Sequence, residues 1–208
     1  PARRPPHEFL AQALRFARPT RHHAGMLRHL LCALILALPL GHVSQAADDP
    51  VLPGTVVGVV DGDTADIRLQ SGMIRVRLHA IDAPERDQPH GAASKQALSK
   101  LVYGRQVNVE PVEQDRYDRL VARLWLDGLD VNAEMVRQGA AWVYRRYADD
   151  PAYCAHEKAA RDLKRGLWAL PRDQRAAPWE WRKRKTLGGT FTDYDVEPVA
   201  ACVASLGR

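Results

Sequence analysis

Three closely spaced strand-like segments, at residues 55–60, 64–69 and 73–81, constrain the fold more than any other feature. In the second, Ala65, Ile67 and Leu69 alternate with Asp66 and Arg68. In the third, Val76, Leu78 and Ala80 share one parity. Strand side chains point alternately to opposite faces, so each row marks one buried and one wetted face. Asp61-Gly62-Asp63 joins the first two strands, and Ser71-Gly72 is a tight hairpin signal between the second and third. Strands joined so tightly must pair antiparallel.

The rest of the chain adds to this sheet. Residues 91–103 carry Ala93, Ala97, Leu98, Leu101 and Val102 on one helical stripe. Strands follow at 106–112 and 119–126, the latter ending at the turn Asp127-Gly128. Asn132 caps a short helix that Gly139 closes, and 141–144 is a short extended piece. Asp150-Pro151 opens a third helix that runs to Gly166, with Pro at its first position. Five strands interleaved with and followed by three helices predict a mostly β, α+β domain. Its architecture is a five-stranded OB-type barrel with helices packed on it.

Domain organisation follows from composition. Residues 26–46 read as a secretory signal, with Arg28, an apolar run at 30–40 and Ser44-Gln45-Ala46 as cleavage site. Residues 1–46 are therefore a leader, 47–54 a lead-in, 55–170 the folded domain and 171–208 a C-terminal extension. An exported protein, periplasmic or secreted, is expected. It is expected to be a monomer without stable membrane association once the signal is removed. Lys and Arg number 30 against 25 Asp and Glu, but six arginines and one acid fall in the first 46 residues. The remainder is balanced, which predicts weak, salt-sensitive attraction to nucleic acid at best. Cys154 and Cys202 are the two cysteines outside the leader, and export and parity favour a bridge between them. Trp179-Glu180-Trp181 beside residues 182–185 reads as a packed strap with a solvated basic end, in preference to a nucleic-acid patch.

Candidate chemistry gathers at strand ends. Asp63 continues the buried parity of Ala65, Ile67 and Leu69, and Asp82 continues that of Val76, Leu78 and Ala80. A carboxylate on a core-facing row is costly unless paired or metal-bound. Two of them at adjacent strand ends suit a hard cation completed by carbonyls and waters; ion pairs with Arg77 or Arg119 are the alternative. Ala83-Pro84-Glu85 then presents Glu85 beside that site, where a general base for water belongs. Arg77 and Arg119 offer forked donors matched to phosphate oxygens. Simple alternation, however, sends Arg77 to the face opposite Asp82, so a bulge or strand end must intervene. His79, His90 and His156 show no metal spacing, and no nucleophile elbow or phosphate-binding loop is present.

With these residues assembled, the chain resembles the staphylococcal nuclease (thermonuclease) family. The resemblance rests on Val60-Asp61-Gly62-Asp63-Thr64, on Arg77-Leu78-His79-Ala80-Ile81-Asp82-Ala83-Pro84-Glu85 and on Asp115-Arg116-Tyr117-Asp118-Arg119-Leu120-Val121-Ala122. Val131-Asn132-Ala133-Glu134-Met135-Val136-Arg137-Gln138-Gly139 extends it, and the similarity covers about residues 55–168. It implies Ca²⁺-dependent hydrolysis of DNA and RNA to 3′-phosphorylated products. It also implies Asp63, Asp82 and the Ala83 carbonyl as metal ligands, with Asp61 and Thr64 supporting them. Glu85 matches the general base, and Arg77 and Arg119 the phosphate-binding arginines. Tyr117 matches a residue flanking the nucleotide, as either Tyr144 or Tyr147 does. Ala83 stands where threonine is common and Asp118 where glycine is usual. A catalytically silent OB module that binds nucleic acid or protein is the competing reading. Retention of every metal and arginine position favours the enzyme.

Overall fold

The computed structural model describes residues 51–187 and 197–207. The signal at 26–46, the preceding leader and residues 47–50 of the lead-in lie outside the described residues. Strands β1 (Leu52–Val59), β2 (Thr64–Leu69) and β3 (Gly72–Leu78) form an antiparallel meander. A two-residue strand β4 (Ile81–Asp82) follows, then helix α1 (Gly91–Val102). Strands β5 (Gln106–Gln114) and β6 (Leu120–Leu126) extend the sheet beyond β1, and short β7 (Leu129–Asp130) pairs with β6. Val76, Arg77 and Leu78 of β3 pair in parallel with Leu120, Val121 and Ala122 of β6. That pairing closes β1, β2, β3, β5 and β6 into the expected OB-type barrel.

Helix α2 (Val131–Arg137), strand β8 (Trp142–Val143) and helix α3 (Ala152–Asp162) complete the body. The barrel interior is filled by the rows that alternation selects, including Val56, Ala65, Ile67, Val76, Leu78, Val109 and Leu124. Leu98 and Val102 of α1 and Met135 and Val136 of α2 join the same core.

Several expectations are corrected. Asp130, not Asn132, caps α2, because its carboxylate accepts from the Ala133 N–H at 2.9 Å. Asn132 is fully buried, where its side chain bonds the Leu124 N–H and the His79 and Ala122 carbonyls. Helix α3 ends at Asp162, and Pro151 is its cap residue; Gly166 opens a separate 3₁₀ turn (Gly166–Ala169).

Three helices are also too few. The extension folds as α4 (Pro178–Leu187) and α5 (Val199–Ala204). Trp179 of α4 packs against a second cluster of Trp142, Ala160, Leu167, Trp168 and Ala177. The Cys154 and Cys202 sulfurs are joined, and Cys202 is fully buried. Arg145 donates to Glu197 and Arg161 to the Glu197 carbonyl, so the described last segment is docked on the body. Among the described residues no helix is long and apolar enough to cross a membrane.

Candidate active site

The site lies where β1–β2, β3–β4 and β5–β6 connect at one end of the barrel, in a cleft of about 940 Å³. Asp63 is set by the turn after β1, where its N–H bonds Asp61 Oδ1 at 3.1 Å and its carbonyl accepts from Leu78 N–H at 2.8 Å. Gly62 allows that turn to lie against the body: a Cβ there would sit 1.9 Å from Ser94 Oγ and 2.7 Å from the Ala83 Cβ. Thr64 Oγ1 donates to Asp63 Oδ1 at 3.1 Å. Asp61 thus fixes the Asp63 backbone and Thr64 its carboxylate.

The parity problem at Arg77 is resolved by a break in the strand. β3 stops at Leu78, and Ala80 adopts a left-handed φ of 66° before β4 begins. The chain therefore restarts its alternation, and Asp82 turns to meet Arg77. Arg77 Nη1 lies 2.8 Å from Asp63 Oδ2, and Nη2 lies 2.9 Å from Asp82 Oδ1. One guanidinium joins the two buried carboxylates. Asp63 Oδ2 also accepts from the Ala83 N–H at 2.7 Å.

Electrostatics follow from this crowding. Burial pushes the Asp63 carboxyl up to about 7; Arg77 opposes that, while Asp61 and Asp82 add to it. Burial alone would lower the Arg77 guanidinium, but Asp63, Asp82 and Asp61 outweigh it and hold it above its ordinary value. The acids are under-neutralised by Arg77, which is the environment a divalent cation relieves. Among the described residues no cage of three or more His, Cys, Asp or Glu exists. A cation here would take Asp63, Asp82, a backbone carbonyl such as that of Ala83, and waters. That oxygen-only set is of the kind a hard cation takes and lacks the sulfur and nitrogen donors of a structural zinc site.

Glu85 follows on the loop after β4, at the cleft lining with a half-exposed side chain. Its N–H bonds Gln88 Oε1 at 3.1 Å, and its carbonyl accepts from Gln88 N–H. Gly91 packs so tightly on this loop that a Cβ would fall 1.9 Å from the Glu85 carbonyl oxygen. The loop is thereby pinned to the start of α1.

Barrel closure brings in Arg119, two residues before the Val121 that pairs with Arg77. Asp115 holds it through Nε at 2.8 Å and Nη2 at 2.7 Å. The same carboxylate accepts the Tyr117 and Arg119 N–H groups and lies below its ordinary pKa: those bonds and the Arg119 charge outweigh burial. Asp118 takes a left-handed φ of 59°, so the backbone conformation that glycine favours is kept by a residue that tolerates it.

Tyr117 is exposed at the cleft, with Arg116 and Arg119 over its ring at 4.8 and 5.6 Å. Tyr144 follows β8, which pairs Trp142 with Asp82 and so sets the ring beside the acids. Tyr147 meets Tyr144 edge-on at 4.9 Å. The Tyr144 ring is stacked on Trp179 of α4, which leaves less of it for a base than the resemblance suggests.

Two residues of the site had no role assigned from the sequence. Asp115 stands inside a quoted motif, yet its grip on Arg119 is a loop contact without periodic signature. Arg182 lies in what read as a solvated basic end, but it turns into the cleft and bonds Asp82 and Glu85. Its three-residue spacing from Trp179 is the signal that a helical reading of the strap supplies.

Barrel and cleft together define an OB-type domain that sets arginine forks against a buried carboxylate pair. A family model described as staphylococcal nuclease homologue matches residues 75–170. An uncharacterized endonuclease of Escherichia coli O157:H7 is 43% identical over 133 residues, covering 64% of this chain and 86% of that protein. A micrococcal nuclease of Shigella flexneri is 40% identical over 141 residues, covering 62% and 80% respectively. An uncharacterized endonuclease of Haemophilus influenzae is 38% identical over 144 residues, covering 69% and 79%. The chain belongs to the staphylococcal nuclease family.

Proposed function

We propose that this chain is an exported, Ca²⁺-dependent endonuclease that hydrolyses phosphodiester bonds of DNA, RNA or both and leaves 3′-phosphates. The observation that carries the reading is one cleft holding the Arg77-bridged pair Asp63 and Asp82 beside Glu85 and Arg119. The family membership and the nuclease names of relatives support it. A leader-type segment at 26–46 and the joined Cys154 and Cys202 support export, because disulfides persist in oxidising compartments.

Each residue has a part in the hydrolysis. A Ca²⁺ held by Asp63, Asp82 and the Ala83 carbonyl would supply charge to a phosphoryl oxygen. Glu85 accepts the proton of the attacking water as the new P–O bond forms and the P–O5′ bond breaks, so phosphate stays on the 3′ side. Arg77 and Arg119 stabilise charge gathering on the non-bridging oxygens, where forked donors act without reorganisation. Arg119 leaves Asp115 to do so, while Asp115 keeps the loop in place through the backbone N–H groups it accepts. Tyr117 lies beside the arginines and is placed to flank a nucleotide.

Digestion of single-stranded DNA and RNA with Ca²⁺ or EGTA tests the reading. Cleavage confined to Ca²⁺, with ends that require a 3′-phosphatase before polymerase extension, is expected. Cleavage indifferent to chelation removes the metal role, and binding without cleavage removes the enzyme.

A further inference from the structure

Helix α4 brings a third guanidinium to the acids. Trp179 and Arg182, three residues apart, lie on one helical face. Trp179 stacks on Tyr144 with centroids 5.4 Å apart and planes 4° from parallel, and meets Trp142 edge-on at 6.0 Å. One turn on, Arg182 forks onto Asp82, with Nη2–Oδ2 at 2.7 Å and Nη1–Oδ1 at 3.2 Å. Nη1 also donates to Glu85 Oε1 at 2.7 Å. The helix is anchored independently of these bonds, since Gln88 Nε2 donates to the Ala176 carbonyl at 2.5 Å and Trp179 is wedged among aromatics.

With Arg77 Nη2 on Oδ1 as well, three guanidinium donors fall on the Asp82 carboxylate. A carboxylate offers about four lone-pair sites. A cation ligated by Asp82 would lie against the like charge of the guanidinium already forked on both its oxygens, so Arg182 and a cation compete for Asp82. Arg182 is the partner that yields. Its side chain is 43% exposed, whereas that of Arg77 is 13% exposed and also held by Asp63. Arg182 also engages Glu85 Oε1, so that oxygen is open to a water proton only once the bond is given up. The guanidinium so released stays tethered to α4 at the cleft, within reach of a phosphodiester bound there.

We propose that Arg182 is a third phosphate-facing arginine, held by Asp82 and Glu85 in this structure and passed to the scissile phosphodiester in the working complex. The inference rests on the nuclease reading above.

Two measurements on the full chain test it, each with wild type, Arg182→Gln and Arg182→Lys. The first is calorimetric titration with Ca²⁺ alone, without nucleic acid. The second is kcat/KM on single-stranded DNA at saturating Ca²⁺. Loss of the competitor makes Arg182→Gln bind Ca²⁺ about threefold or more tightly. Loss of a charge-assisted bond to phosphate lowers its kcat/KM about tenfold or more. Arg182→Lys, which keeps the charge and loses the fork, falls between in both and stands alone if the Gln variant unfolds. Unchanged or weaker Ca²⁺ binding overturns the inference. So does a rise in kcat/KM, which would make Arg182 a plug and nothing more. A wild type that shows no Ca²⁺ binding overturns the proposed function and the inference with it. A wild type that binds Ca²⁺ beside variants that bind identically overturns the inference alone.

Discussion

Arg77→Gln separates the structural and chemical duties of the site. Arg77 is nearly buried and touches both Asp63 and Asp82, so its removal leaves two buried acids short of charge. Breaking a buried pair by deleting one partner costs about 3–5 kcal/mol. The lower end applies here, because Asp82 keeps Arg182 and the burden falls on Asp63. Asp63 escapes part of the cost by protonation, since burial already holds it at about 7 against 3.8. A carboxyl raised in the folded state lends stability below its unfolded pKa and loses it as pH rises through the folded one. Without Arg77 that folded value climbs further. The gap between variant and wild type is therefore expected to widen from about 1.5 kcal/mol near pH 5 to about 3 kcal/mol near pH 8, because it opens further only once pH passes the wild-type value of about 7. Urea unfolding followed by tryptophan fluorescence in EGTA measures it, and Ca²⁺ should narrow the gap by replacing the lost charge. A difference below about 0.5 kcal/mol at pH 8, the scale of a bland surface change, would refute the clamp. So would a gap that is flat with pH.

Three further outcomes are expected. Glu85→Gln should lower turnover at least ~100-fold with unfolding unchanged, as for loss of a general base from an exposed loop; near-normal rates would reassign the base. Arg119→Lys should lower kcat/KM at least ~100-fold, because a point charge cannot reproduce the fork, and full activity would end its phosphate role. Cys202→Ser opens a bridge spanning 48 positions, for which loop entropy sets an upper bound of ~4 kcal/mol. Thermal unfolding should shift by no more than that while nuclease activity persists, since α4 is held by its own contacts. Loss of activity would mean that the bridge also positions the cleft.

Much of this molecule is written in local pattern. The parity of Ala65, Ile67 and Leu69, and of Val76 and Leu78, names the inner face of β2 and β3; all but Leu69 are buried in the barrel core, and Leu69 packs partly buried against it. The β2 parity also carries Asp63 inward, and it is buried; Asp82 is buried as well, but only after alternation restarts beyond Ala80. Alternation and turn chemistry act over a few residues, so a single chain displays them. Three features were decided only by tertiary structure. Arg77 meets Asp82 because Ala80 takes a left-handed φ, a conformation no residue type at that position announces. Arg119 stands near Arg77 because β3 and β6 close in parallel, a pairing that hydrophobic rows allow but do not select. Arg182 reaches Asp82 across 100 positions of chain, and its run of basic neighbours reads locally as a solvated end. Periodicity states which face a side chain takes. Which distant partner meets that face depends on strand register and helix docking, and those are settled by the packing of the whole chain at once.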